Sequence, residues 1–313
     1  MPRRRPCNYW VRPMDEQAPV QRCGKVALIG KPNVGKSTLL NHLVGQKISI
    51  TSRKPQTTRQ TILGIKTIAD AQIVYVDTPG YQQSYKKALN RHMNKTISST
   101  LLDVDLVLLM LDRLRFYEED EHLLENMAKA NCPVFLVINK IDELAEKAQL
   151  LPFIEIAKSK YPFAEIVPLS ALKQQNTDAL ETSIIKYLAE NTWMFPEDQL
   201  TDRNSRYLAA EFVREKITRQ MGDELPYEIA VEIEEFKLVD STYHISALIL
   251  VERSGQKKML IGDSGSRLKL IGTEARKDME DLFGCKVMLK LWVKVKSGWS
   301  DDDRALRSLG FES

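Results

Sequence analysis

Apolar runs and helical stripes alternate along residues 25–190. Residues 25–29 form an apolar run of strand length that ends at Gly30. From 37 to 44, Leu39, Leu40 and Leu43 recur at helical spacing, and Gly45 follows as a stop. Residues 60–69 and 72–76 alternate like a hairpin turning near Asp70. Residues 106–112, 133–139 and 165–169 read as further strands. Helical patterns at 118–130, 145–160 and 176–189 separate or follow them. This rhythm predicts an α/β domain built on a mostly parallel, doubly wound sheet, with one antiparallel hairpin strand.

Residues 191–203 break the rhythm and are expected to be a linker. After them, residues 203–221 predict an amphipathic helix with Ala210, Val213, Ile217 and Met221 on one face. Strands are expected at 227–236 and 243–252, then a helix–Gly–helix stretch, then a strand at 286–296. The order α-β-β-α-α-β describes a small α+β domain. The expected division is an N-terminal extension (1–20), an α/β domain (21–190), the linker (191–203) and the α+β domain (204–313).

Composition changes this picture little. Hydrophobic residues make up 43% and charged residues 28% of the 313, as in soluble globular proteins. No apolar run approaches the roughly 18–20 residues that cross a bilayer. Cys7, Cys23, Cys132 and Cys285 lie far apart, which suggests reduced thiols rather than disulfides or a zinc site. The formal net charge of +3 misleads, because Arg3, Arg4, Arg5 and Arg12 stand in a segment without acids. That segment has no apolar core of a secretion signal. It reads as a disordered basic arm, or as sequence upstream of a start at Met14. His42, His92, His122 and His244 show no triad or metal spacing. Glu118-Glu119-Asp120-Glu121 reads as the acidic first turn of a helix.

Gly30-Lys31-Pro32-Asn33-Val34-Gly35-Lys36-Ser37 matches GxxxxGK(S/T), between a predicted strand and a predicted helix. Backbone N–H groups of such a loop, with Thr38 in the following turn, wrap a polyphosphate at the positive end of the helix. Lys36 is expected to reach the β- and γ-phosphates, and Ser37 to hold Mg²⁺. Asn139-Lys140-Ile141-Asp142 ends a predicted strand, at the sheet edge where ligands bind. A carboxylate at Asp142 accepts from guanine N1–H and its 2-amino group, donors that adenine lacks there. Ser170 and Ala171, at the end of the next strand, suit a loop that meets the guanine oxygen.

Asp77-Thr78-Pro79-Gly80 closes another strand. Asp77 is expected to order a Mg²⁺-bound water, and the Gly80 N–H to sense the γ-phosphate. Between the first helix and the hairpin, Gln56-Thr57-Thr58-Arg59 offers a threonine to the metal, with Thr58 preferred over Thr57. Lys36, Thr58 and Gly80 thus form the expected catalytic set. Many small GTPases place a water-orienting glutamine after the glycine of this motif. Here Tyr81 stands there, and Gln82 is one position off, so slow intrinsic GTP hydrolysis is expected.

With the strings GKPNVGKSTLLN, QKISITSRKPQTTR, VDTPG, NKID and LWVKVKSGW…RALRSLG in this order, the chain after residue ~24 resembles the Era family of bacterial ribosome-assembly GTPases. The resemblance implies a G domain followed by a type II KH domain, and binding of GTP and GDP. It implies binding near the 3′ end of small-subunit ribosomal RNA and action in 30S assembly. It further implies a monomer, cytoplasmic with a peripheral inner-membrane fraction. Asn33 resembles the asparagine that coordinates K⁺ in potassium-activated relatives.

Gly262-Asp263-Ser264-Gly265 occupies the GxxG position of a KH domain, where glycines let a loop approach a nucleic-acid backbone. Lys257, Lys258, Arg267 and Lys269 surround it, with Arg276 and Lys277 further on. Between the glycines stand Asp263 and Ser264 rather than a basic residue, which shifts the phosphate contacts onto the flanking cations. Lys290, Trp292, Lys294 and Lys296 alternate onto one strand face, an RNA surface or a solvated sheet face.

Overall fold

The computed structural model describes residues 20–52, 54, 57–81, 99–127, 130–221 and 229–297. The arm with Arg3, Arg4, Arg5, Cys7, Arg12 and Met14 lies outside them, as do Gln56, Gln82, His92, residues 227–228 and the RALRSLG tail.

The N-terminal unit runs β1 (Arg22–Ile29), α1 (Lys36–Val44), β2 (Ile62–Ile68), β3 (Ala71–Asp77), β4 (Leu106–Leu111), α2 (Glu118–Met127), β5 (Val134–Ile138), α3 (Leu150–Lys160), β6 (Glu165–Pro168) and α4 (Thr177–Tyr187). Its sheet has the order β2-β3-β1-β4-β5-β6. Among the described strands of this sheet only β2 is antiparallel, paired with β3 from Ile62–Asp77 to Ile68–Ala71. β3, β4 and β5 are buried along their whole length because helices cover both faces. Val26 and Leu28 of β1 pack with Leu39, Leu40 and Leu43 of α1 and with Leu180 and Ile184 of α4. Ala27 and Ile29 face the other way, toward Leu123 and Met127 of α2 and Phe153 and Ala157 of α3. The expected helix at 145–160 is divided, with a 3₁₀ turn at Lys147–Gln149 preceding α3.

The C-terminal unit runs α5 (Ser205–Gln220), β7 (Ile229–Val239), β8 (Thr242–Val251), α6 (Ser254–Ile261), α7 (Ser266–Phe283) and β9 (Lys286–Val295). β7 and β8 are antiparallel, and β8 and β9 are parallel. A parallel neighbour needs a long crossover, and α6 and α7 supply it.

Residues 191–203 run along the N-terminal unit. The Ile65 N–H donates to Leu200 O at 2.9 Å and the Leu63 N–H to Asp202 Oδ1 at 3.0 Å. Buried Gln72 accepts from the N–H groups of Met194 and Phe195 and donates to Phe195 O. The segment thereby covers the free edge of β2, which would otherwise expose unpaired backbone groups.

One expectation needs correction. α5 is not buried on a single face: residues 212–218 are all buried, including Arg214, Glu215, Lys216 and Thr218. Ala210 lies at the margin rather than on the central stripe. The helix is a wedge. Ala209, Phe212, Val213 and Ile217 enter the C-terminal core, which also takes in Ile50 from the N-terminal unit. The charged side meets residues 47–59. Lys47 Nζ lies 2.5 Å from both Glu215 Oε2 and Asp278 Oδ2, and Lys216 Nζ 2.5 Å from Asp278 Oδ2. Glu215 Oε1 accepts from the Thr51 N–H at 2.8 Å and from Arg219 at 3.0 Å. Buried charges persist where they are paired and hydrogen-bonded, as all of these are.

Candidate active site and nucleic-acid interface

The sheet's C-terminal edge gathers four loops that the sequence scatters over 140 residues. Gly30 leaves β1 and Lys36 opens α1, so the loop between them is set by a strand end and a helix start. Asn33 takes a left-handed backbone (φ 66°) with an exposed side chain, a conformation asparagine tolerates well. Lys36 Nζ folds back onto Gly30 O at 3.0 Å and Lys31 O at 2.9 Å. Burial pushes its ammonium down to about 8, with the Asp77 carboxylate acting the other way.

Ser37, Thr58 and Asp77 converge. Ser37 Oγ donates to Asp77 Oδ2 at 2.8 Å and lies 2.9 Å from Thr58 Oγ1, which is itself 3.4 Å from Asp77 Oδ2. Thr58 therefore sits in the oxygen cluster. Thr57 turns away, its hydroxyl donating to Lys54 O at 2.7 Å. Burial raises the Asp77 carboxyl, and Lys36 and three hydroxyls pull it back only in part. Its Oδ1 is buried without a hydrogen bond. A buried carboxylate oxygen with no partner, beside two hydroxyls, is a donor set of hard oxygens that suits Mg²⁺. Sequence reasoning missed the third hydroxyl. Ser49 Oγ donates to Asp77 Oδ2 at 2.9 Å, placed by Asn41, whose Oδ1 accepts the Ile48 and Ser49 N–H groups. No spacing rule signals it.

Thr78 anchors the next loop, its hydroxyl donating to Leu28 O at 2.8 Å. Pro79 leads to Gly80, which lies against the phosphate loop: a Cβ there would come within 2.8 Å of Pro32. The Tyr81 N–H donates to Gly30 O at 3.2 Å, and its ring packs toward the α2–α3 face.

Asn139 joins three loops. Its Nδ2 donates to Val34 O at 2.7 Å and its Oδ1 accepts the Ala171 N–H at 2.9 Å. A Cβ on Gly35 would meet Nδ2 at 2.2 Å, so glycine is required there for this contact as well as for its φ of 102°. Lys140 is left-handed (φ 63°) and pairs with Asp112 at 3.1 Å. Ile141 is buried and its N–H donates to Leu169 O, which leaves Asp142 exposed on a 3₁₀ turn. Buried Ser170 exchanges backbone hydrogen bonds with Gln175, closing the loop that presents Ala171.

Asp120 is more than part of an acidic first turn. It is fully buried and its Oδ2 lies 2.9 Å from Lys31 Nζ, while that ammonium also stands 3.7 Å over the Tyr117 ring. The pair fixes α2 to the phosphate loop.

In the C-terminal unit, Gly262 (φ 71°), Ser264 (φ 51°) and Gly265 (φ 80°) form a left-handed bend between α6 and α7. Lys258 and Lys269 are exposed beside it and Lys257 is half-buried. Arg267 turns back to Met259 O at 2.6 Å, capping α6, so part of its hydrogen-bonding capacity is used within the fold. Met259 and Leu270 expose half their surface next to these cations, apolar area that can face a base. On β9, Lys290, Trp292 and Lys294 do share the exposed face. Trp292 Nε1 there donates to Glu234 at 2.7 Å, which places an acid beside the ring.

A family model described as a 50S ribosome-binding GTPase matches residues 25–140, and one described as a KH domain matches residues 224–300. A GTPase Era from Marinobacter nauticus is 59% identical over 292 residues, covering 93% of this chain and 96% of that protein. A GTPase Era from Pseudomonas aeruginosa is 61% identical over 290 residues, covering 93% and 95%. Among solved structures, Era in complex with MgGDPNP and nucleotides 1506–1542 of 16S ribosomal RNA superposes with a TM-score of 0.90 at 42% identity, over 94% of this chain and all of that one. A tyrosine-to-alanine variant of Aquifex aeolicus Era bound to GDP·AlF4⁻ matches with the same score, identity and coverage.

Proposed function

The chain belongs to the Era family of GTPases, and from that premise we propose a GTP-hydrolysing switch that binds small-subunit ribosomal RNA near its 3′ end during 30S assembly. The observation that carries the proposal is the meeting of Lys36, Ser37, Thr58, Asp77 and Asn139 at one sheet edge. We take residues 21–190 as the G domain, 191–203 as the connection and 204–313 as the KH unit.

Residues 30–38 wrap the phosphates with their N–H groups. Lys36 exchanges its backbone carbonyl partners for the β- and γ-phosphates. Ser37 and Thr58 hold Mg²⁺ through their hydroxyls, and Asp77 does so through a water. When bound, Mg²⁺ neutralises charge that builds on the transferring phosphoryl group. The Gly80 N–H donates to the γ-phosphate, so hydrolysis releases residues 77–81. Asp142 accepts from guanine, and the loop of Ser170 and Ala171 meets the base's oxygen through its backbone. Tyr81 has no amide with which to orient water, so turnover is slow without help. Asn33 supplies a K⁺ ligand, tested by comparing turnover in KCl and NaCl; equal rates count against it.

In the KH unit, Gly262 and Gly265 admit the RNA backbone, and Lys257, Lys258, Arg267 and Lys269 meet its phosphates. RNA crosslinking in the GTP and GDP states tests this function. Recovery of 16S fragments from outside the 3′ region, in both states, would overturn it. The protein is a cytoplasmic monomer with a peripheral inner-membrane fraction carried by the basic arm. Flotation with acidic vesicles, with and without residues 1–13, measures that fraction. No helix among the described residues is long and apolar enough to cross a membrane.

A further inference from the structure

Thr58, the residue assigned to Mg²⁺, does not sit in the cluster by its own hydrogen bonds alone. The residues on either side of it are held by the C-terminal unit. Arg214 of α5 donates from Nη2 to Thr57 O at 2.5 Å. On the other side, Arg59 donates from Nη1 to Ile229 O at 2.9 Å. Arg59 and Arg214 are buried, at 7% and 4% exposure.

Arg214 is itself fixed. Its Nε and Nη2 lie 2.7 and 2.6 Å from the two oxygens of Glu211, a bidentate pair one turn earlier on α5. Such a fork leaves the guanidinium plane no freedom to turn. The Thr218 hydroxyl donates to Arg214 O at 2.8 Å, and Phe212 and Val213 pack beside it in the C-terminal core. A rigid donor on one domain therefore grips a backbone carbonyl immediately before the metal-binding threonine of the other. Carbonyl position and Thr58 side-chain position are linked through a single planar peptide. Thr58 Oγ1 then lies 2.9 Å from Ser37 Oγ.

We propose that Arg214 is a positioning residue for GTP hydrolysis, supplied by the C-terminal domain, which holds Thr57 O and so keeps Thr58 at the Mg²⁺ site. It touches neither nucleotide nor metal. Its effect is confined to the state that uses Thr58. Nucleotide held only by the phosphate loop and the base loops does not depend on it. The inference rests on Thr58 as the metal-binding threonine.

The test uses the full-length protein and three variants, Arg214→Met, Arg214→Lys and Thr58→Ala, with the double variant Arg214→Met/Thr58→Ala. Single-turnover GTP hydrolysis is measured against Mg²⁺ concentration, and GDP affinity by fluorescent GDP titration. Displacement of one positioning contact predicts a rate loss on the order of ten- to a hundredfold. Arg214→Met and Thr58→Ala should both show this loss with a raised half-saturating Mg²⁺ concentration. GDP affinity should stay within about twofold, and the double variant should be no worse than Thr58→Ala. Lysine keeps the charge but cannot serve Glu211 and Thr57 O through one planar fork. Arg214→Lys should therefore follow Arg214→Met, and it carries the test if the methionine variant does not fold.

If Thr58→Ala shifts the Mg²⁺ dependence and both Arg214 variants do not, the positioning role is overturned while the metal site stands. If Thr58→Ala itself leaves the Mg²⁺ dependence unchanged, the metal assignment falls, and this inference with it. A rate loss in Arg214→Met without a Mg²⁺ shift, additive in the double variant, would mean a general structural role and would overturn it too.

Discussion

The Asn139 side chain donates to Val34 O at 2.7 Å, binding the loop after β5 to the phosphate loop across the end of the sheet. Its other end receives the Ala171 N–H. One amide thus spaces three loops that a nucleotide must touch together. Replacing Asn139 by Ala leaves Val34 O and the Ala171 N–H without that partner in a buried place. At roughly 1–3 kcal/mol for each group left unsatisfied, GTP and GDP should both bind at least tenfold more weakly, and by similar factors. Isothermal titration with each nucleotide checks this. Loss of GTP affinity alone would contradict it.

Asp142 is exposed on its 3₁₀ turn, free to meet a base edge. In Asp142→Asn an acceptor oxygen is replaced by a donor NH₂. Preference should move from GTP to xanthosine triphosphate, whose 2-oxo group accepts where guanine donates. The discrimination available to a hydrogen-bonding site is on the order of 10⁴. Competition titrations with the two triphosphates read the reversal; unchanged GTP affinity refutes the assignment.

Glu215 is fully buried between the domains and serves Lys47, Lys216, Arg219 and the Thr51 N–H. Removing one partner of a buried network strands the others, at about 3–5 kcal/mol. Glu215→Ala should lower the unfolding midpoint in urea, or split a single transition into two as the domains uncouple. A wild-type curve would show that the network contributes nothing.

The same contact is sensitive to acid through Asp278. Burial acts to raise its carboxyl, but hydrogen bonds and charges from Lys216 and Lys47 outweigh this and hold it below the ordinary value. A depressed carboxylate stabilises the fold fully above its unfolded value, about 4, and that contribution is lost as pH falls through the folded value. Stability should therefore drop below about pH 4 in the wild type. Asp278→Asn should be less stable at neutral pH and flatter across that window, as urea midpoints at several pH values would reveal.

Lys258 and Lys269 stand exposed beside the left-handed bend at Gly262 and Gly265. Phosphate contacts are sequence-independent and release counterions. Either lysine changed to alanine should weaken binding of all RNA sequences alike and reduce the salt slope by about one. A change in sequence preference would mean base contact instead. Filter binding over a range of KCl concentrations distinguishes the two.

The local chemistry of the active site was legible in the chain. A strand, a glycine loop and a helix must follow each other closely to make an anion site, so residues 25–44 announce it by spacing alone. The same holds for Asp77, which ends β3, and for Asn139 and Asp142, which follow β5, because the ends of parallel strands reach the same edge. The α-β-β-α-α-β order was legible for the same reason: hydrophobic period is a local property. The wedge helix was not. Nothing in the sequence marks Arg214, Glu215 and Lys216 as buried, because a charged helix surface that meets water and one that meets a complementary domain have the same composition. Likewise Asp120 looked like an ordinary acid at a helix start until the fold brought Lys31 to it. The sequence by itself determined the elements and the nucleotide motifs, which depend on neighbours within one strand–loop–helix unit. Only the tertiary structure decided which charges are buried, which carbonyl Arg214 grips and which of the two threonines joins Ser37 and Asp77. The Arg214 grip joins residues 157 positions apart in the chain, whose pairing is set by how two cores share one helix.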